Sequence, residues 1–341
     1  MGARSARVLA LLALVAAAPE GPQPLTIAVA PGGPHEAVVK FLLRPYAEAT
    51  GTPLGQPAWD GTLDGLKKLG AAHGFDLALL DGPTLAALCR AQVVQKLDWG
   101  TLGRDRFFPG AASDCGAGAY LAATVLAWDR DKLAGTPAWA DFWDVTRHPG
   151  RRGLHRGARG NLEIALMADG VAPGDVYRVL RSPQGVDRAF RKLDQLKPYI
   201  MWWDQPAQPA QMLASAKVLM TSAPASSLPE TQGPSPGHVG IQWTGSLSEV
   251  EAWATPKDAP HADAALMAIG LACDPARQAE FARATRLGPA TKPGLSLLPE
   301  AVRARSPSLP ANLGAGLAID EGFWLDAGAK LDARFAAWIG K

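Results

Sequence analysis

The sequence predicts an α/β fold with a mostly parallel sheet. Short apolar runs of strand length alternate along the chain with longer segments of helical period. Size agrees: 341 residues, 48% hydrophobic and 19% charged, suffice for one large or two medium cores and are too apolar for a disordered chain. No internal repeat interrupts the pattern.

Residues 1–18 read as a signal peptide rather than as structure. Arg4 and Arg7 precede "VLALLALVAAA" (Val8 to Ala18), a run too short to span a bilayer but suited to an h-region. Val15 and Ala17 suit the cleavage site. Export to the bacterial periplasm is therefore expected, in a compartment where disulfides persist. The first strand is "LTIAVA" (Leu25 to Ala30). A helix follows through Val39, Leu42 and Tyr46, kinked or restarted at Pro45 and stopped at Gly51. "FDLALLD" (Phe75 to Asp81) is a second buried strand, with a helix from about Thr84. "TVLAWD" reads as a strand and "NLEIALMADG" as a helix ending at Gly170. Ser182 and Pro183 place a cap and a first-turn proline before Val186, Phe190 and Leu193 on one face. "KVLMTSA" and "VEAWATP" read as strands, and Asp274-Pro275 opens another helix. "APASSLPETQGPSPG" (Ala223 to Gly237) breaks the rhythm and reads as an exposed loop.

Of the three cysteines, at most one intramolecular pair can form. Cys89 with Cys115 would close a short loop, and Cys273, inside "ALMAIGLAC", is expected to be buried and free. No Cys/His cluster and no HExxH pairing points to a metal, and no phosphate-binding loop points to a cofactor. "GPSPG" matches a nucleophile elbow by letters only, because prolines flank Ser235. The basic run "RHPGRRGLHRGAR" (Arg147 to Arg159) reads as a solvated loop. A net charge of +2 offers no wide basic surface for nucleic acid. Nothing in these patterns indicates an enzyme. Eleven tryptophans is a high count: some belong to the core, and a surplus also fits an aromatic-lined site.

Four segments carry a resemblance: "WADFWDVTRHPGRRGL", "NLEIALMADGVAPGDVY", "GVDRAFRKLDQLKPYIMWWDQPAQPAQML" and "AASDCGAGAY". They resemble the spermidine/putrescine-type extracellular solute-binding proteins of ABC transporters, and the similarity runs from "LTIAVA" to "LDARFAAWIG". It implies a type II periplasmic-binding-protein fold: two α/β lobes, joined by two crossing strands, with the ligand between them. Lobe one would comprise residues 24–124 plus 248–341, with the C-terminal helices, and lobe two residues 125–247. The implied partners are a small organic amine and a membrane permease, with the binding protein a monomer and no nucleic acid involved.

Such a site holds methylenes and ammonium groups on aromatic faces and fixes the ammonium ends with carboxylates. The resemblance assigns Glu251 as the amine-binding acid and Asp81 as a ligand contact after the second strand. Trp253 would share Glu251's strand face. Of the adjacent Trp202 and Trp203, extended chain lets one face the cleft while the other packs, and Trp203 is taken as the former. Asp204 and Gln208 would border the cleft, with Gln211 beside Gln208, and Gly33 belongs to the turn after the first strand. Three positions depart from the family. Pro224, Ala225 and Ser226 stand where relatives carry an aromatic-Asn-Gly, the turn Gly32-Gly33-Pro34-His35 lacks a tyrosine, and Gly157 and Gly160 replace acids. Two readings therefore stay open beside the amine receptor. One is a receptor for a zwitterion or anion, with Arg156 or Arg159 reaching the cleft; the other is a scaffold whose ligand site has decayed.

Overall fold

The computed structural model describes residues 23–72, 74–229 and 238–340. The expected signal peptide and the "GPSPG" match lie outside these residues. Among the described residues, ten strands form one continuous sheet. β1 (Leu25–Ala28), β2 (Leu54–Gly55) and β3 (Leu77–Leu80) make a parallel arm in the order β2-β1-β3. β4 (Ala117–Asp129) leaves that lobe. β5 (Arg152–His155), β6 (Ile200–Trp203) and β7 (Met220–Pro224) form a second parallel arm in the order β7-β5-β6. β8 (Val239–Ala254) returns, antiparallel to β4 from Val239 to Trp253 and to β3 at its far end. β4 and β8 are thus the two crossing strands. The β4–β8 register shifts between Thr124 and Leu126, where the chain passes from one lobe to the other.

Each lobe has its own core. Leu25, Ile27, Leu77, Leu79 and Trp253 pack with Ala265, Ile269 and Phe281 in lobe one. Leu126, Phe142, Leu162, Leu166, Phe190 and Leu193 pack together in lobe two. The expected kink before Pro45 takes a specific form: Val38–Leu43 is a π-helical turn that leads into the helix Arg44–Thr50. Proline cannot donate and crowds the carbonyl four residues back, so the wider turn relieves that conflict. Gly51 (φ 70°) ends the helix in the left-handed region. Ser182 Oγ caps Pro183–Leu196 through Gly185 N, and Asp274 caps Pro275–Thr285.

The structure corrects three expectations. The basic run is not a solvated loop: β5 lies within it, and Arg152 is fully buried. Its guanidinium donates to the carbonyls of Phe142, Gly150 and His148. Burial lowers its pKa to about 10, with Asp144 opposing, and the three carbonyls replace the water it has lost. The stretch from Ala223 begins as strand and buried turn, with Ala225 and Leu228 packed into lobe two. Finally, grouping all of 248–341 with lobe one is too simple for the last helix, Glu321–Ile339, which runs along the lobe-one helix Gly82–Arg90, with Asp326 paired to Arg90, and also packs on lobe two. Its Phe323, Trp324, Leu331 and Phe335 belong to the lobe-two core. A third connection between the lobes precedes it. β9 (Gly288–Pro289) pairs with β4, and β10 (Leu317–Ala318) runs parallel to β8 at Leu247 and Ser248.

Cys89 and Cys115 form a disulfide across 26 residues, and Cys273 is a free buried thiol. Burial pushes the Cys273 thiol up to about 12, which makes it an inert hydrophobe at neutral pH.

Candidate ligand-binding site

The carboxyl ends of β1 and β3 and the crossing strands meet at the junction of the lobes. After β1, Gly32 (φ 83°) and Gly33 (φ 50°) take two successive left-handed conformations that side chains disfavour. The chain turns back there, and Pro31 to His35 wall a cavity of about 170 Å³ with Leu79, Tyr120 and Glu251. Glu251 lies opposite Tyr120 in the β4–β8 ladder, so both side chains leave the same sheet face.

The Glu251 carboxyl has its pKa raised to about 8. Burial is the main cause. Asp81, Glu249 and Glu321 add like charge, and Arg159 offsets part of it. Glu249 precedes Glu251 by two residues and shares its strand face. Asp81 caps the helix Gly82–Arg90, its Oδ1 accepting from Thr84 N at 3.0 Å. That cap fixes the carboxylate at the end of β3 and starts the helix two residues before the position expected from sequence.

Lobe two contributes the cation. Arg159 ends the loop after β5, just before the helix Asn161–Ala168. Its Nη1 and Nη2 each donate to Glu321 at 2.8 Å, and Nη2 lies 3.5 Å from Glu249. Burial disfavours the guanidinium charge, but the bonds to Glu321 and the charges of Glu249 and Glu163 outweigh it and hold its proton more firmly than usual. Glu163 frames the loop: its carboxylate is fully buried and accepts from Gly160 N, Tyr177 Oη and Trp324 Nε1 at 2.7–2.8 Å. Burial pushes its pKa up, against those three donors.

The remaining expected site residues divide. Trp203 is buried, its ring centroid 4.7 Å from that of His155, while Trp202 packs edge-on to Phe335 and Trp338. The two indoles do point to opposite sides of β6. Burial lowers the His155 pKa, against the charges of Asp204 and Glu249. Asp204 is exposed and paired with Arg156 at 3.1 Å. Gln208 Oε1 accepts from the backbone N–H groups of Asp204 and Gln205, so its acceptor ties the loop. Trp253 is a correction: it is fully buried in the lobe-one core, opposite Leu79 of β3, and carries packing rather than a ligand face.

A larger cavity, about 1080 Å³, lies on the other sheet face against Leu121 and Val250. It is lined mainly by apolar side chains and touches the charged cluster only at Glu249 and Glu321. The charged cluster spans both cavities: Glu251 lines the smaller one with the glycine turn, Glu249 and Glu321 line the larger, and the candidate ligand site is taken as this cluster together with the glycine turn. Sequence reading missed Glu321 and Glu163 entirely. It missed Glu249 as well, although its spacing of two from Glu251 on an extended strand was a usable signal, and Arg159 entered only as an alternative.

This chain matches the family model "Bacterial extracellular solute-binding protein" over residues 54–300. It is 38% identical over 334 residues to the gamma-aminobutyric acid-binding protein of Pseudomonas aeruginosa, covering 97% of this chain and 95% of that one. The Atu4243–GABA receptor structure superposes with a TM-score of 0.82 at 25% identity, covering 93% of this chain and 97% of that one. A spermidine/putrescine ABC transporter substrate-binding protein, PotD from Streptococcus pneumoniae, superposes with a TM-score of 0.74 over 94% of this chain and 100% of its own, at 15% identity, a likeness of fold alone. With strand arms, crossing strands and an interlobe charged site in place, the chain belongs to the bacterial extracellular solute-binding proteins, which serve ABC transporters as binding proteins rather than enzymes.

Proposed function

We propose that this protein captures a short zwitterionic solute of the ω-amino acid type in the periplasm and hands it to an ABC permease. One observation carries the reading: Arg159 sits within interaction range of Glu251 in a cluster that also holds Asp81, Glu249 and Glu321. An ammonium group offsets the mutual repulsion of the acids, and a carboxylate is the natural partner of a guanidinium fork. A diamine leaves the guanidinium without a ligand group, and a dicarboxylate meets the acids with like charge. The gamma-aminobutyric acid-binding relative supports the same chemistry. The excess of acids keeps a diamine as the second reading.

Titration calorimetry on the mature protein tests this with 4-aminobutyrate, 5-aminopentanoate, putrescine, butylamine, butyrate and glutarate. The ω-amino acids should bind at least tenfold more tightly than either single-charge analogue. Tighter binding of putrescine would restore the polyamine reading, and no binding by any of the six would favour a decayed site.

A further inference from the structure

We propose that Glu321 is an internal stand-in for the ligand's carboxylate: it holds Arg159, a solute carboxylate binds by exchange with it, and the site thereby selects for solutes that carry one. This rests on the ω-amino acid reading of the site.

The geometry has three parts. First, the Arg159–Glu321 contact is the side-on, two-bond pairing that a ligand carboxylate would make, and Glu321 uses both oxygens for it. Second, the backbone around both residues is pinned without help from this pair. Glu163 binds Gly160 N, next to Arg159, and Trp324 Nε1, in the first turn of the helix that Glu321 begins. Asp320 caps that helix through Phe323 N at 2.9 Å and pairs with Arg181. The Glu321 side chain can therefore swing away while its helix stays docked on lobe two. Third, the carboxyl lies against lobe one as well: a Cβ added at Gly82 would stand 2.2 Å from the Glu321 carboxyl carbon. Glu321 thus touches both lobes where the chain makes its third connection.

The electrostatics favour exchange. Burial, with Glu249 and Asp81, pushes the Glu321 pKa up despite Arg159, so its carboxylate sits among like charges with one cation to share. An ω-amino acid brings an ammonium to those acids and a carboxylate to Arg159. Glu321 is then free to return to water. An amine lacking a carboxylate gains only the first half, and leaves Glu321 where it stands.

Two variants separate this role from a structural one. Glu321→Gln removes the competing charge. Gly82→Ala keeps every charged group in the protein but forces the Glu321 side chain aside, at little cost because that side chain is flexible. Calorimetry should show 4-aminobutyrate and butyrate binding each variant roughly three- to tenfold more tightly than wild type, with butylamine binding no more tightly. Equal or weaker binding of both carboxylates would overturn the proposal and make Glu321 a ligand contact or a structural brace. If wild type binds no ω-amino acid, the underlying ligand reading fails. Butyrate then decides the exchange by itself: a gain in the variants supports it and no gain refutes it.

Discussion

Glu251→Gln separates charge from shape at the centre of the site. The carboxyl titrates at about 8, because burial and three neighbouring acids oppose its charge. Below that value it is mostly neutral, and an ammonium ligand must first displace its proton. That displacement costs about 1.4 kcal/mol per pH unit below the pKa. Wild-type affinity for an ω-amino acid should therefore rise roughly fivefold between pH 7 and pH 8, and about twofold more before it levels off above. The glutamine variant has no proton to lose, so its affinity should be flat over this range. Removing one partner of a desolvated charge pair typically costs about 2–5 kcal/mol, or roughly thirtyfold and more. The full loss should appear at pH 8.5 and shrink to a few-fold at pH 7. Calorimetry in buffers of different ionisation enthalpy supplies a second readout, since wild type should release close to one proton per ligand at pH 7 and the variant none.

The same shift has a sign for stability. The folded pKa lies above the ordinary value of 4.5, so the folded state holds this proton more tightly than the unfolded chain does. The resulting stability is present below about pH 4.5 and is lost as pH rises through 8. Glu251→Gln should thus match wild type near pH 4.5 and become progressively more stable up to pH 8.5 without ligand. A stability difference independent of pH, or an affinity loss independent of pH, would refute the assignment of Glu251 as a crowded, proton-holding carboxyl.

Two further outcomes test the frame around the site. Thiol titration of the denatured, non-reduced protein should find one thiol per chain, Cys273, and reduction of Cys89–Cys115 should lower stability by about 3–4 kcal/mol; three thiols without reductant would remove the disulfide. Trp253→Ala should cost about 3–5 kcal/mol of stability, as expected for a fully buried indole. Trp253→Phe should leave ligand affinity unchanged, and a large affinity loss there would return Trp253 to the binding site.

What was legible in the sequence was whatever the chain encodes locally. The strand–helix alternation, the Ser182 and Asp274 caps and the Gly51 stop are fixed by neighbours within a few residues, and the structure carries them at those positions. Parity along an extended segment gave the opposed faces of Trp202 and Trp203. Depth was not legible, and Glu251 and Trp253 show why. Both project from one face of β8, so periodicity treats them alike. β3, however, pairs with Ala252 to Ala254 only, and ends at Leu80. Trp253 lies inside that pairing, under the helices of lobe one. Glu251 lies one residue beyond it, where the sheet face opens between Asp81 and the Gly32–Gly33 turn. Its role follows from where a different strand stops, 171 residues earlier in the chain. Arg152 was misread for a related reason, since a buried arginine is stabilised by carbonyls of Phe142, Gly150 and His148, and backbone acceptors leave no mark in composition. Glu321 extends the argument to function. Its partner Arg159 stands 162 positions away, and the two meet because the last helix lies between the lobes, along the helix Gly82–Arg90 of lobe one and on the core of lobe two. The residues that set charge balance in this site come from lobe one (Asp81), lobe two (Arg159), the returning strand β8 (Glu249 and Glu251) and the third passage between the lobes (Glu321), so a substitution that moves the third passage should alter ligand choice without touching a ligand contact.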